Sequence, residues 1–210
     1  MTGKVVVVGG SGFIGSHVAD CLSDNGYQVT IFDHIHSTWL REDQDMVVGD
    51  VLDTEALERT IEGAKFVYNF AALADLNQAL NQPIKTVKIN ILGNLNVLEA
   101  CRIHNVERFI YASTVYVHSR EGSFYRCSKQ SSEYYIEEYQ KVYDLDYTIL
   151  RYGSLYGPRA DDTNGMYRIV SSALKTGKVQ YKGDIESMRE YIHVDDAARA
   201  SISVLDESFK

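Results

Sequence analysis

Proline is nearly missing from this 210-residue chain: only Pro83 and Pro158 occur, so helices and buried strands can run with few breaks. Cysteine is scarce and odd in number. Cys21, Cys101 and Cys127 lack metal-type spacing and cannot close a disulfide framework, so a reduced, cytoplasmic protein without a metal site is expected. Cys21 and Cys101 fall within apolar helical patterns and read as small core residues. Positive charge is in the minority, with 21 Lys and Arg against 29 Asp and Glu and a net charge of −8. That balance excludes a general nucleic-acid face but leaves room for an arginine gripping a phosphate locally. No apolar run approaches the ~18 residues that span a bilayer. The start "MTGKVVVVGG" also lacks the apolar core of a signal peptide, so no membrane attachment is expected.

What is present is an alternation of short β-rich runs and longer helical patterns. Val5–Val8, Val29–Phe32, Met46–Val48, Phe66–Phe70, Phe109–Ala112 and Tyr147–Leu150 read as buried strands. Helices are expected over Gly12–Asn25, Thr54–Ile61, Pro83–His104 and Tyr125–Tyr143. Such alternation with right-handed crossovers builds an α/β doubly wound parallel sheet. After Pro158 the rhythm changes. A helix near Gly165–Thr176, short strands at Val179–Tyr181 and Glu190–Val194, and a helix from Asp195 read as a smaller lobe, incomplete where the chain stops. The expected division is 1–157 for the sheet domain and 158–210 for a partial substrate lobe, part of it packing back on the sheet.

"VVVVGGSGFIGSH" is the most informative stretch. A strand runs straight into Gly9, Gly12, Phe13, Ile14 and Gly15 and then into a helix. Glycine permits positive φ and close backbone approach, and the helix N-terminus offers N–H groups to a pyrophosphate. The second strand ends in Asp33, 18 residues past Gly15. A carboxylate there accepts both hydroxyls of an adenosine ribose and repels a 2′-phosphate, which favours NAD over NADP. In "VVGDVLD", Asp50 is suited to an adenine amino group or, alternatively, to capping the next helix.

Further on, "FYRCSKQ" sets Tyr125 and Lys129 four residues apart, on one face of a helix. Taken alone, that pair fits an ordinary helix surface as well as a site.

The whole chain resembles the extended short-chain dehydrogenase/reductase superfamily, in its nucleotide-sugar epimerase/dehydratase branch. The resemblance runs from the Gly-x-x-Gly-x-x-Gly spacing of "GGSGFIGSH" through "GDVLD", "NFAALAD", "NILGNLNVLEAC", "YASTVY", "YRCSK" and "LRYGSLYGPR" to "REYIHVDD". It implies a Rossmann fold with NAD as cofactor. The cofactor would lie against the glycine loop, Asp33, Asp50, Val51, Ala71, Ala72, Asn90, Tyr125, Lys129 and Tyr152, the last flanking the nicotinamide or merely packing. Tyr125 would remove a proton from a sugar hydroxyl while hydride leaves for NAD, with Thr114 or Ser113 bonding that oxygen. A phenol holds its proton to about pH 10, and the Lys129 cation is expected to ease its loss. The substrate would be a nucleotide-diphosphate sugar touched by Ser154, Arg159 and Arg189.

Within the branch, dehydratases follow the threonine with an Asp-Glu pair, whereas Val115 and Tyr116 follow here, so epimerisation is favoured. A dehydrogenase, reductase or dehydratase of a related sugar is the alternative. An NAD-sensing module without turnover is a further one, from another class. Three departures from the pattern stand out: Tyr125 lies only eleven positions after Thr114, Ser154 replaces an asparagine, and the chain ends at Lys210. A homodimer through the two long helices is expected, the stripe Leu92, Leu95, Val97 and Leu98 either serving it or facing the sheet.

Overall fold

The structure, a computed structural model, describes residues 3–179, 186 and 188–209. Six parallel strands form one sheet in the order β3-β2-β1-β4-β5-β6: β1 Lys4–Val8, β2 Gln28–Asp33, β3 Gln44–Val48, β4 Ala64–Asn69, β5 Arg108–Thr114 and β6 Tyr147–Tyr152. The expected doubly wound sheet is therefore present. Val5–Val8 are all fully buried because successive side chains enter opposite layers. Val6 and Val8 join a core with Leu57, Val97, Leu98, Phe109, Tyr111 and Ile136. Val5 and Val7 join another with Val18, Leu22, Ile31, Tyr68 and Ala198. Each valine, leucine, isoleucine or phenylalanine among them contributes roughly 1.5–3 kcal/mol of burial.

Helices α1 Phe13–Asp24, α2 Thr54–Ile61 and α6 Ser123–Tyr143 stand where their patterns place them. Asp53, and not Asp50, caps α2 by accepting the Ala56 N–H at 3.0 Å. The expected helix 83–104 is interrupted. It comprises α4 Pro83–Thr86, a π-helical turn Val87–Leu92 and α5 Gly93–Ile103, preceded by an unexpected α3, Leu76–Asn81, capped by Asp75. Of the stripe expected to serve a dimer, Val97 and Leu98 are core and Leu95 packs on them; only Leu92 is exposed. Facing the sheet is the alternative that holds for these three.

Beyond β6, β7 Ser154–Tyr156 pairs in parallel with β8 Tyr191–His193, and α7 Gly165–Thr176 and α8 Val194–Ser203 follow their patterns. The strand expected at Val179–Tyr181 lies outside the described residues beyond Val179, which has no regular structure. Helix α8 is part of the main body. The Tyr68 hydroxyl donates to the Ser201 carbonyl at 2.8 Å, and fully buried Arg108 donates to the Val204 carbonyl at the helix's C-terminal end. His193, rather than the aspartates after it, caps α8 by accepting the Asp195 N–H. Among the described residues no helix is long and apolar enough to cross a membrane.

Candidate active site

The order of the sheet puts a crevice at the carboxyl ends of β1 and β4, where successive strands depart in opposite directions. Gly9 follows β1 with φ +79°, and a Cβ there would meet the Ala71 nitrogen at 2.5 Å. A Cβ at Gly15 would meet the Gly9 carbonyl at 2.3 Å, so strand, turn and helix close up only because both lack side chains. Gly12 is different: its missing Cβ has only the Gly9 carbonyl nearby, at 3.4 Å, and the residue is exposed. It is also the N-cap of α1, with no side-chain cap and no acidic residue in the first turn. The helix therefore presents unshielded N–H groups and its positive end over an open face. These residues fit a pyrophosphate. Phe13 and Ile14 begin α1 half-buried, Ile14 packing on the core below.

Asp33, buried at the end of β2, accepts the Ser11 N–H at 2.9 Å and the Ile35 N–H at 3.3 Å, which places a carboxylate against the glycine turn. Asp50 is exposed and turns back to accept the Leu52 N–H. Val51 is half-buried, and its carbonyl is held by Asn96 at 2.9 Å.

A chain of contacts joins the glycine turn to the Tyr–Lys helix. Gly9 lies on the backbone at Phe70 and Ala71; Ala71 and the half-buried Ala72 continue to Leu73. Fully buried Asn90, in the π-helical turn, accepts the Leu73 N–H at 2.7 Å and donates to the Leu73 carbonyl and to Ser128 Oγ at 2.9 Å. Ser128 Oγ in turn donates to the Tyr125 carbonyl at 2.7 Å. The extra residue of a π turn re-aims a side chain, which here is Asn90.

Lys129 is 2% exposed; its ammonium donates to the Ala112 carbonyl at 2.6 Å and lies 4.6 Å and 5.8 Å from the Tyr111 and Tyr125 ring centres. Burial pushes Lys129 down to about 7, against the field of Glu133. Burial pushes the Tyr125 phenol up to about 12, Tyr116 adding to the rise. The expectation that Lys129 would ease proton loss is not met by these groups alone. The burial that brings them together penalises charge on both.

Of the two hydroxyls ending β5, Ser113 donates to Glu133 Oε1 at 2.5 Å behind the site, whereas Thr114 Oγ1 only accepts the Tyr116 N–H at 3.3 Å. Thr114 thus keeps its own proton to donate. Tyr152 ends β6 with its hydroxyl bonded to Ser201 Oγ at 2.6 Å and its ring 6.3 Å from that of Phe70, the residue next to Ala71 beside the glycine turn. Arg159 Nη2 donates to Asp20 of α1 at 2.6 Å and its guanidinium lies 4.9 Å from the Trp39 ring centre, while its buried Nη1 makes no hydrogen bond. Ser154 opens β7 beside Tyr191, and Arg189 is exposed just ahead of β8. Sequence reasoning missed Ser128, Glu133 and Arg151. Ser128 sits inside "YRCSK", and Glu133 continues the Tyr125–Lys129 spacing by another four residues. Among the described residues no cluster of His, Cys, Asp or Glu could hold a metal ion.

Residues 5–210 match the model of the NAD dependent epimerase/dehydratase family. Among solved structures, the chain is 32% identical to a UDP-glucose 4-epimerase from Thermotoga maritima, determined with UDP-glucose. That match has a TM-score of 0.89 and covers 97% of this chain and 73% of the other. It is 30% identical, with a TM-score of 0.85, to a UDP-glucose 4-epimerase from Thermus thermophilus in complex with NAD, over 96% and 74% of the two chains. A UDP-glucuronic acid 4-epimerase from Bacillus cereus, in complex with UDP-glucuronic acid and NAD, is 26% identical with a TM-score of 0.88, over 97% and 73%.

Proposed function

The chain belongs to the NAD dependent epimerase/dehydratase family, and on that premise we propose that it is an NAD-dependent 4-epimerase of a nucleotide-diphosphate sugar acting through a transient keto-sugar. When bound, NAD would supply the hydride acceptor for the sugar carbon and, in its reduced form, the donor of that hydride to the other face of the keto-sugar. The glycine turn and the α1 N-terminus would hold its pyrophosphate and Asp33 its adenosine ribose. Lys129, anchored to β5, would meet the second ribose, and Tyr125 would accept the proton of the sugar hydroxyl while Thr114 bonds the same oxygen. With its phenol raised to about 12 by burial, Tyr125 needs further positive charge nearby to act at neutral pH, and the oxidised nicotinamide ring carries one.

One observation carries this reading: the Asn90–Ser128 relay ties the glycine turn's neighbour, the loop after β4, to the helix that holds Tyr125 and the buried Lys129. Val115 and Tyr116, which open the 3₁₀ turn after Thr114, bring no carboxyl group for expelling water, so epimerisation is preferred to dehydration. The test is incubation with NAD and a panel of nucleotide-sugars, read by NMR. New 4-epimers without net NADH support the reading. Accumulating NADH would establish a dehydrogenase instead, and loss of water a dehydratase. The raised Tyr125 also suits a non-catalytic NAD-sensing module, which would bind NAD, convert nothing and ignore Tyr125→Phe.

A homodimer belongs to the same proposal. Helix α6 leaves Tyr134, Tyr135, Val142 and Tyr143 exposed, and the adjoining π-helical turn and α5 leave Leu92 and Ile103 exposed, apolar side chains suited to a second copy. Light scattering after gel filtration should give twice the chain mass; a monomer at all concentrations overturns it.

A further inference from the structure

The polar inner face of α6 continues one turn past Lys129. Tyr125, Lys129 and Glu133 stand at i, i+4 and i+8 and project from one side of the helix. Glu133 is 7% exposed, and Arg151 forks onto its carboxylate, Nη2 to Oε2 at 2.8 Å and Nε to Oε1 at 3.1 Å. The same carboxylate accepts the Ser113 hydroxyl. Ser113 follows Ala112, whose carbonyl takes the Lys129 ammonium, and precedes Thr114. One side chain thus joins α6 to the ends of β5 and β6 at the point where the reacting groups are mounted.

We propose that Glu133 is a positioning residue for the Tyr125–Lys129 pair: it holds the β5 segment that anchors Lys129, and it supplies the negative charge that supports a buried ammonium. The inference rests on reading Tyr125 and Lys129 as the proton-handling pair. Lys129 is faced by Tyr111 from β5 and by Tyr125 and Glu133 along α6. Glu133 is faced by Arg151 from β6, Ser113 from β5 and the field of His118 from the 3₁₀ turn. Burial drives Lys129 toward its neutral form and Glu133 opposes it. Arg151 in turn offsets Glu133. Removing one charge or the other must therefore move Lys129 in opposite directions, which a purely structural brace would not do.

The test is the titration of Lys129 by NMR of ε-¹³C-lysine in the full chain, with and without NAD, the resonance being identified by its loss in Lys129→Met. Glu133→Gln keeps an acceptor for Ser113 and removes the charge. Its Lys129 midpoint should fall by about one pH unit or more, the scale of one charge acting across a helical turn in a protein interior. Arg151→Gln should raise it. The alkaline limb of turnover should follow in the same directions. A folded Glu133→Gln protein with an unmoved midpoint overturns the proposal, as does an Arg151→Gln midpoint that stays or falls. If Glu133→Gln fails to fold, Arg151→Gln decides alone, since that side chain is 41% exposed and its loss leaves little buried surface behind. Opposite displacements with no nucleotide-sugar converted would strike the proposed reaction and leave the role of Glu133 standing.

Discussion

Helices α6 and α7 invert the usual relation between local signal and importance. Helix α7 is well marked: Asn164 caps it by accepting the Tyr167 N–H at 3.0 Å, and Gly177 ends it with φ +69°. Yet none of its described residues is buried, and Leu174 is 83% exposed. Helix α6 starts from Gly122 with no side-chain cap, but it buries Ser128, Lys129, Ser132, Glu133 and Ile136. Capping sets where a helix begins, whereas docking decides what its side chains can do. An ammonium or phenol on α7 would meet water. On α6 the same groups lose hydration, and their protonation comes under the control of a few neighbours.

The difference can be broken or sharpened by substitution, starting with the largest expected effect. Tyr125→Phe should lower turnover about 10²–10⁴-fold, the usual contribution of a positioned proton acceptor, while NAD binding by calorimetry persists. Tyr167→Phe on α7 should leave turnover unchanged; comparable losses in both would erase the contrast. Packing comes next. Ile136→Ala should cost about 2–5 kcal/mol in urea unfolding, whereas Leu174→Ala should stay within about 0.5 kcal/mol.

Lys129→Met tests the cost of the buried charge. Lys129 titrates near 7 when folded, below its ordinary value of 10.5. Between those values the unfolded chain binds the extra proton, so native stability should rise with pH across that window. The Met variant should lack the rise and be more stable at pH 7, on the order of 2 kcal/mol, while losing turnover. Thermal melts from pH 6 to 10 would show it, and parallel curves for the two proteins would refute it. The smallest effect is local: Asn164→Ala should cost about 1 kcal/mol as a lost cap, with turnover intact.

The features legible in advance were those set by short-range rules. A run of four valines announces a strand buried on both faces, and glycines between strand and helix announce a close turn. The pair Tyr125–Lys129 was legible as a shared helix face because the spacing is a property of the helix itself. The contacts of Tyr152 and Arg159 were not legible in this way. Their partners, Ser201 and Phe70 for the first and Asp20 and Trp39 for the second, are distant in the chain, and nothing local announces them. The stripe Leu92–Leu98 was ambiguous for the same reason, since periodicity marks an apolar face without saying what covers it. The π-helical turn that aims Asn90 has no signature in composition either; it follows from the fit of Leu73 and Ser128 to one amide.

The sequence by itself determined the strand and helix order, the glycine turn, the acidic residue ending β2 and the adjacency of Tyr125 and Lys129, because hydrophobic period and backbone sterics act within a few residues. Only the tertiary structure decided that Lys129 is fully buried, that Ser113 turns to Glu133 while Thr114 stays available, and that α8 closes the main core while α7 remains outside it. Those outcomes depend on desolvation and on hydrogen bonds between distant segments, and both exist only once the layers have come together.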